Sequence, residues 1–148
     1  MYDQTRTHRF PTAMTYDQML ERVRYEGAYP TRERAEGAVR AVLSALGSQM
    51  TNDERVDLAR RLPAEAALAL TGAVPATERL TGWGFVKDLA ARNGVSPAVA
   101  RWDTGAVLAP VAALAGPELL ARILQQLPDG FALLFGQAQL GQHLRAAA

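Results

Sequence analysis

"RRLPAEAALAL" at residues 60–70 and "QQLPDGFALLF" at residues 125–135 decide the fold of this chain. Each sets two polar residues before a Leu-Pro step and an apolar run after it, and Leu62-Pro63 precedes Leu127-Pro128 by 65 residues. Proline is poorly tolerated inside an α-helix but fits its first turn, where its missing N–H would have had no partner. A Leu-Pro step therefore marks a tight joint between two helices. Two such joints predict a helical unit written twice.

Upstream of the first joint, Tyr16, Met19, Leu20 and Val23 are spaced as one face of an amphipathic helix, which Gly27 and Pro30 break. Thr31 can cap a second helix, in which Ala35, Ala38, Val39, Val42, Leu43 and Leu46 hold the i, i+3, i+4, i+7 stripe. Arg32, Glu36 and Arg40 stand at four-residue steps on its outer face, the spacing of exposed ion pairs. Thr51 with Glu54 three residues on forms a capping-box pattern for a third helix running to about Leu62. Pro63 then opens a fourth.

The second half replays this order. Phe85, Val86 and Leu89 stand 66 residues after Met19, Leu20 and Val23, and Ser96-Pro97 supplies a cap and a first-turn proline. Ala106-Val107-Leu108 answers Ala41-Val42-Leu43 at an offset of 65, so one residue has been lost from the intervening loop. Gly116-Pro117 ends this helix and opens the next, and Leu127-Pro128 launches the last, through Phe131, Leu134 and Phe135. The expected architecture is an all-α bundle of about eight helices built from two tandem four-helix repeats, residues 15–72 and 80–144. "TGAVPATERLTGWG" joins them.

With 148 residues the chain has the size of one domain and can bury a core without metal or disulfide support. Residues 1–14, polar and broken by Pro11, are expected to be a flexible tail ahead of a single domain over 15–148. Sixteen basic residues against fifteen acidic ones leave a charge of +1, which argues against a surface built to neutralise phosphates or anionic lipid. The absence of cysteine excludes thiolate catalysis and thiolate metal ligation. An amino terminus without an apolar run, and the lack of about 18 consecutive apolar residues, lead us to expect a cytoplasmic protein with no membrane span.

Catalytic patterns are missing. The only histidines, His8 and His143, lie at opposite ends, so no paired metal-ligand spacing exists and no metal or cofactor is expected. Asp53, Glu54 and Asp57 cluster at a helix start, where the helix dipole accounts for acidic residues. Gly82 and Gly84 lack the third glycine and the preceding strand of a dinucleotide fingerprint. None of the serines at 44, 48 and 96 sits in a G-x-S-x-G elbow. The arginines at 22, 24, 32, 34 and 40 alternate with Glu21, Glu26, Glu33 and Glu36, a salt-laced face rather than a nucleic-acid site.

"MTYDQMLERV" (14–23) followed by "RAEGAVRAVLSALGSQMTNDERVDLARRLP" (34–63) resembles the bacterial family catalogued as domain of unknown function 2267. The resemblance covers roughly residues 14–140 and implies an all-helical fold, commonly in two copies. It implies no activity and no site residue. "GWGF" at 82–85 and the charge-free helix around Pro110 depart from the family pattern.

Charge separates the two halves. Residues 15–72 carry nine acidic and eight basic side chains, whereas 73–148 carry five and six, with none from Thr104 to Pro117 or from Gly130 to Leu144. A helix without a charged face is buried on more than one side or meets a partner. The sequence thus favours a non-enzymatic interaction or assembly module, contacting a second copy or another protein through Leu119, Leu120 and Ile123. The alternative is a carrier or sensor that holds an apolar small molecule among Trp83, Phe85, Trp102, Phe131 and Phe135, between the repeats. Pro110, inside the charge-free helix, is expected to kink it.

Overall fold

Four hydroxyl side chains set where helices begin. Thr15, Thr31, Thr81 and Ser96 each adopt an extended backbone and accept a hydrogen bond from the backbone N–H three residues on, that of Gln18, Arg34, Gly84 and Val99. Each satisfies one of the donors that a helix start leaves without a partner. At Thr15 the Gln18 side chain returns a bond to the Thr15 N–H at 3.0 Å, completing a capping box. The computed structural model describes residues 14–50 and 52–137. The proposed tail, the Thr51 cap, both histidines and the chain beyond Gln137 lie outside those residues.

Among the described residues seven helices follow in order: α1 Tyr16–Gly27, α2 Arg32–Gln49, α3 Asn52–Ala59, α4 Ala64–Thr71, α5 Gly82–Asn93, α6 Pro97–Gln126 and α7 Phe131–Leu134. No strand occurs among the described residues. The all-helical expectation holds, but the count differs because α6 covers two expected helices. The joint at Gly116-Pro117 contains no loop: Gly116 alone leaves the helical region, at φ 82° and ψ 161°, and Pro117 resumes the helix at once. That positive φ suits glycine, which has no Cβ to clash. The backbone leaves the helix at Gly116, whereas Pro110 keeps helical dihedrals and is buried. Pro63 likewise shifts by one position, sitting in extended conformation just before α4 rather than within its first turn.

One apolar core runs through all seven helices. Central α2 packs on α1, α4, α5 and α6, with Val39, Val42, Leu43 and Leu46 wholly buried. α6 lies across both halves, its first arm (97–115) on α1 and its second (117–126) beside α3. By length and composition α6 equals a membrane-crossing helix, yet half of its most apolar window is buried in the protein, as in a core helix. Aromatic bulk gathers in the second half, where Phe85 and Phe131 meet edge to face at 5.3 Å between ring centres.

Polar contacts lock the halves together. Gln49, buried at the end of α2, donates to the Glu78 carbonyl at 3.0 Å and accepts from the Leu80 N–H at 2.8 Å, so its amide takes the place of a backbone partner for the connecting segment. Arg122 on α6 reaches Asp57 at 2.7 Å and Glu54 at 3.3 Å on α3. Arg61 donates to the Ala115 carbonyl at 2.5 Å, serving an acceptor orphaned by the break at Gly116.

Candidate interaction surface

The residues expected to form the contact face are core. Leu119, Leu120 and Ile123 retain only 2, 5 and 1% of their surface, because the second arm of α6 turns its apolar stripe inward while Arg122 and Gln126 face α3. A charge at Leu119 or Leu120 would therefore attack the fold before it could attack an interface. Phe85, Phe131 and Phe135 are equally interior, each 1% exposed. The five aromatic residues divide into two groups: three pack the core, while Trp83 and Trp102 stand 60 and 57% exposed. Two clefts among the described residues, one lined by Gln49, Met50 and Arg79 and one by Ser44, Ser48 and Arg92, include none of the five.

Trp102 is held in place while exposed. Its Nε1–H donates to the Gly27 carbonyl at 2.8 Å, across from α6 to the end of α1. Beside it, the Tyr29 hydroxyl donates to Asp103 Oδ1 at 2.5 Å, and the Arg34 guanidinium lies 5.4 Å from the centre of the Tyr29 ring. Burial first, then the bond to Asp103, pushes the Tyr29 hydroxyl well above its ordinary pKa. The hydroxyl therefore stays protonated and keeps donating across the physiological range. These contacts fix the indole without covering it, and one turn back Val99 is also exposed.

Trp83 stands at the first turn of α5, where Gly82 meets Gly130. A Cβ on Gly82 would lie 2.6 Å from backbone atoms of Gly130, so only glycine permits this approach. The Gly82 N–H closes the contact by donating to the Asp129 carbonyl at 2.8 Å. Leu133 on α7 is exposed on this same short helix. The "GWGF" stretch thus combines a tight backbone crossing with a solvent-facing ring. In the sequence the two tryptophans could not be told from their buried neighbours, since a lone aromatic at helical spacing carries no mark of which side faces water.

The first half presents the opposite chemistry. Arg22 pairs with Glu26 at 3.0 Å, Arg24 with Glu21 at 3.2 Å, Arg32 with Glu21 at 3.3 Å, and Arg40 with Glu36 at 2.8 Å. The Arg40 and Tyr16 hydrogen bonds hold the Glu36 carboxyl below its usual range. Arginines occupied in this way have less to offer a phosphate backbone. No group of three or more His, Cys, Asp or Glu side chains suited to a metal occurs among the described residues.

A family model described as an uncharacterized conserved protein, DUF2267, matches residues 16–134. The chain belongs to that family. The match begins with α1 and ends with α7, so it takes in both halves, including "GWGF" and the charge-free stretch 104–117 of α6. No curated protein matches the chain.

Proposed function

We propose that the chain is a non-enzymatic interaction module made of two tandem four-helix units, and that its second half supplies the contact surface. The duplicated plan is supported by paired positions. Thr15 and Thr81, both N-caps, are 66 residues apart, as are Ala28 and Gly94, the left-handed residues that end α1 and α5. Thr31 and Ser96 cap α2 and α6 at an offset of 65, and the core pairs Leu43 with Leu108 and Leu58 with Ile123 keep that offset. Taking α6 as two helices joined at Gly116 gives four helices in each unit.

The interaction reading rests on one observation, the exposed and immobilised Trp102. Large apolar rings fixed before binding lose little entropy on contact and are the side chains that dominate interface energies. The partner in this proposal is a second copy, for a surface led by indole rings needs no opposite charge across a two-fold axis. Sedimentation velocity tests it. The parent protein should sediment as a dimer, and Trp102→Ala should shift it to monomer with helical circular dichroism retained. A parent that stays monomeric at all concentrations, or a Trp102→Ala variant that dimerises as the parent does, would overturn this assignment.

A further inference from the structure

Between the halves lies a cleft of about 480 Å³, within the size range of small-molecule sites. It is lined by Ser44 and Ser48 on α2, by Ala73, Val74 and Pro75 in the connecting segment, and by Arg92 in the last turn of α5. Three tethers hold the connecting segment. The Ala76 N–H donates to the Ser48 carbonyl at 2.9 Å, and Arg55 reaches both the Thr71 carbonyl and, at 3.1 Å, the Ala73 carbonyl. The opening is thus preformed, which lowers the cost of filling it. Val74 is held 80% exposed on that segment.

The polar groups are unequal. Ser48 already donates to the Ala45 carbonyl at 2.7 Å, whereas the Ser44 hydroxyl makes no hydrogen bond among the described residues. Asp88 holds the Arg92 Nε at 2.9 Å and so occupies one side of the guanidinium. The two terminal nitrogens remain, a planar pair of donors matched to a carboxylate. Ala73, Val74 and Pro75, which line the same cleft, offer methyl and methylene groups and no charge.

From this geometry we propose that the cleft is a binding site for a small monocarboxylate with a short aliphatic chain. Its carboxylate pairs with the Arg92 terminal nitrogens, Ser44 donates a further hydrogen bond, and the chain lies along Ala73, Val74 and Pro75. The site is separate from the Trp102 surface and does not depend on it.

The experiment is an amide-shift titration of the full chain with hexanoate, with hexanol as the uncharged control. Saturable shifts confined to residues near 44–48, 72–76 and 92, with hexanol at least about tenfold weaker, are expected, since one lost charge-assisted pair is worth about a factor of ten. Arg92→Gln should weaken hexanoate by about the same factor while leaving the spectrum folded, and Val74→Ser should weaken it less. Lys87→Gln, elsewhere on α5, controls for the loss of a positive charge and should leave hexanoate binding unchanged. Shifts that never saturate, shifts that centre on another region, equal binding of hexanol, or an Arg92→Gln variant that binds as the parent does would each overturn the proposal.

Discussion

Residues 15–72 and 80–137 share one apolar core, yet they present different surfaces. The first half ties its arginines to carboxylates along α1 and α2, and its largest fully buried side chains are Met19 and leucines. The second fills the core with Phe85, Phe131 and Phe135 and leaves two tryptophans in solvent. Where Phe131 packs on Phe85, the first half has Ala66 and Met19 at the same offsets. In the duplicated plan proposed above, caps and core positions are kept while side-chain volume and surface chemistry diverge.

Removing the aromatic bulk should break the comparison most severely. Phe131→Ala leaves a ring-sized cavity against Phe85 and should cost about 3–5 kcal/mol in urea unfolding, the usual range for such truncations. Ala66, already small, has no counterpart to this loss. A cost under about 1 kcal/mol would mean that the second-half core collapses to fill the gap.

Smaller, but more specific to the joint between the halves, is Gln49→Ala. It strips the partners from the Glu78 carbonyl and the Leu80 N–H together; both lie where water reaches part of the way, so the combined cost is about 1–3 kcal/mol. Hydrogen exchange should speed at Leu80 well beyond the global effect. If exchange there stays slow, the Leu80 N–H keeps its protection without Gln49, and that amide is not what holds the connection.

The mildest effect is a difference in alkaline behaviour. Burial first, then the hydrogen bond to Glu36, pushes the Tyr16 hydroxyl in the first half up to about 12, above the ordinary value near 10. An acid with a raised folded pKa favours the fold below its unfolded pKa and loses that contribution as pH rises through the folded value. The stability of the parent should therefore fall between about pH 10 and 12 by more than that of Tyr16→Phe. Absorbance of phenolate should show a late-titrating component that the variant lacks. Identical curves would place Tyr16 in ordinary solvent contact.

Much of this fold is legible in the sequence, because helix starts and stripes depend on neighbours a few residues away. Thr31, Ser96 and the spacing of Val39, Val42, Leu43 and Leu46 all mean in space what they mean in line. The continuity of α6 was not legible, since Gly116-Pro117 reads equally as the end of a loop or as a single-residue turn between collinear or bent arms. The surface was legible least. A run without charges such as 104–117 signals burial or contact alike, and only the packing of α6 among its neighbours shows that Leu119, Leu120 and Ile123 belong inside. No local pattern announces the bond from Trp102 to the Gly27 carbonyl, which joins residues 75 apart.

The span of α6 across both halves also bears on the order of events during synthesis. Its first arm covers α1, and its second holds α3 through Arg122 and Arg61 reaches back to it, so residues 15–72 cannot finish their packing until residue 126 has been made. At translation rates of about 5–20 residues per second, the 54 residues from 73 to 126 take roughly 3–11 seconds. For that interval the faces of α1 and α2 that pack on α6 wait on the nascent chain without their final cover, and a chaperone that grips apolar segments has its opportunity there.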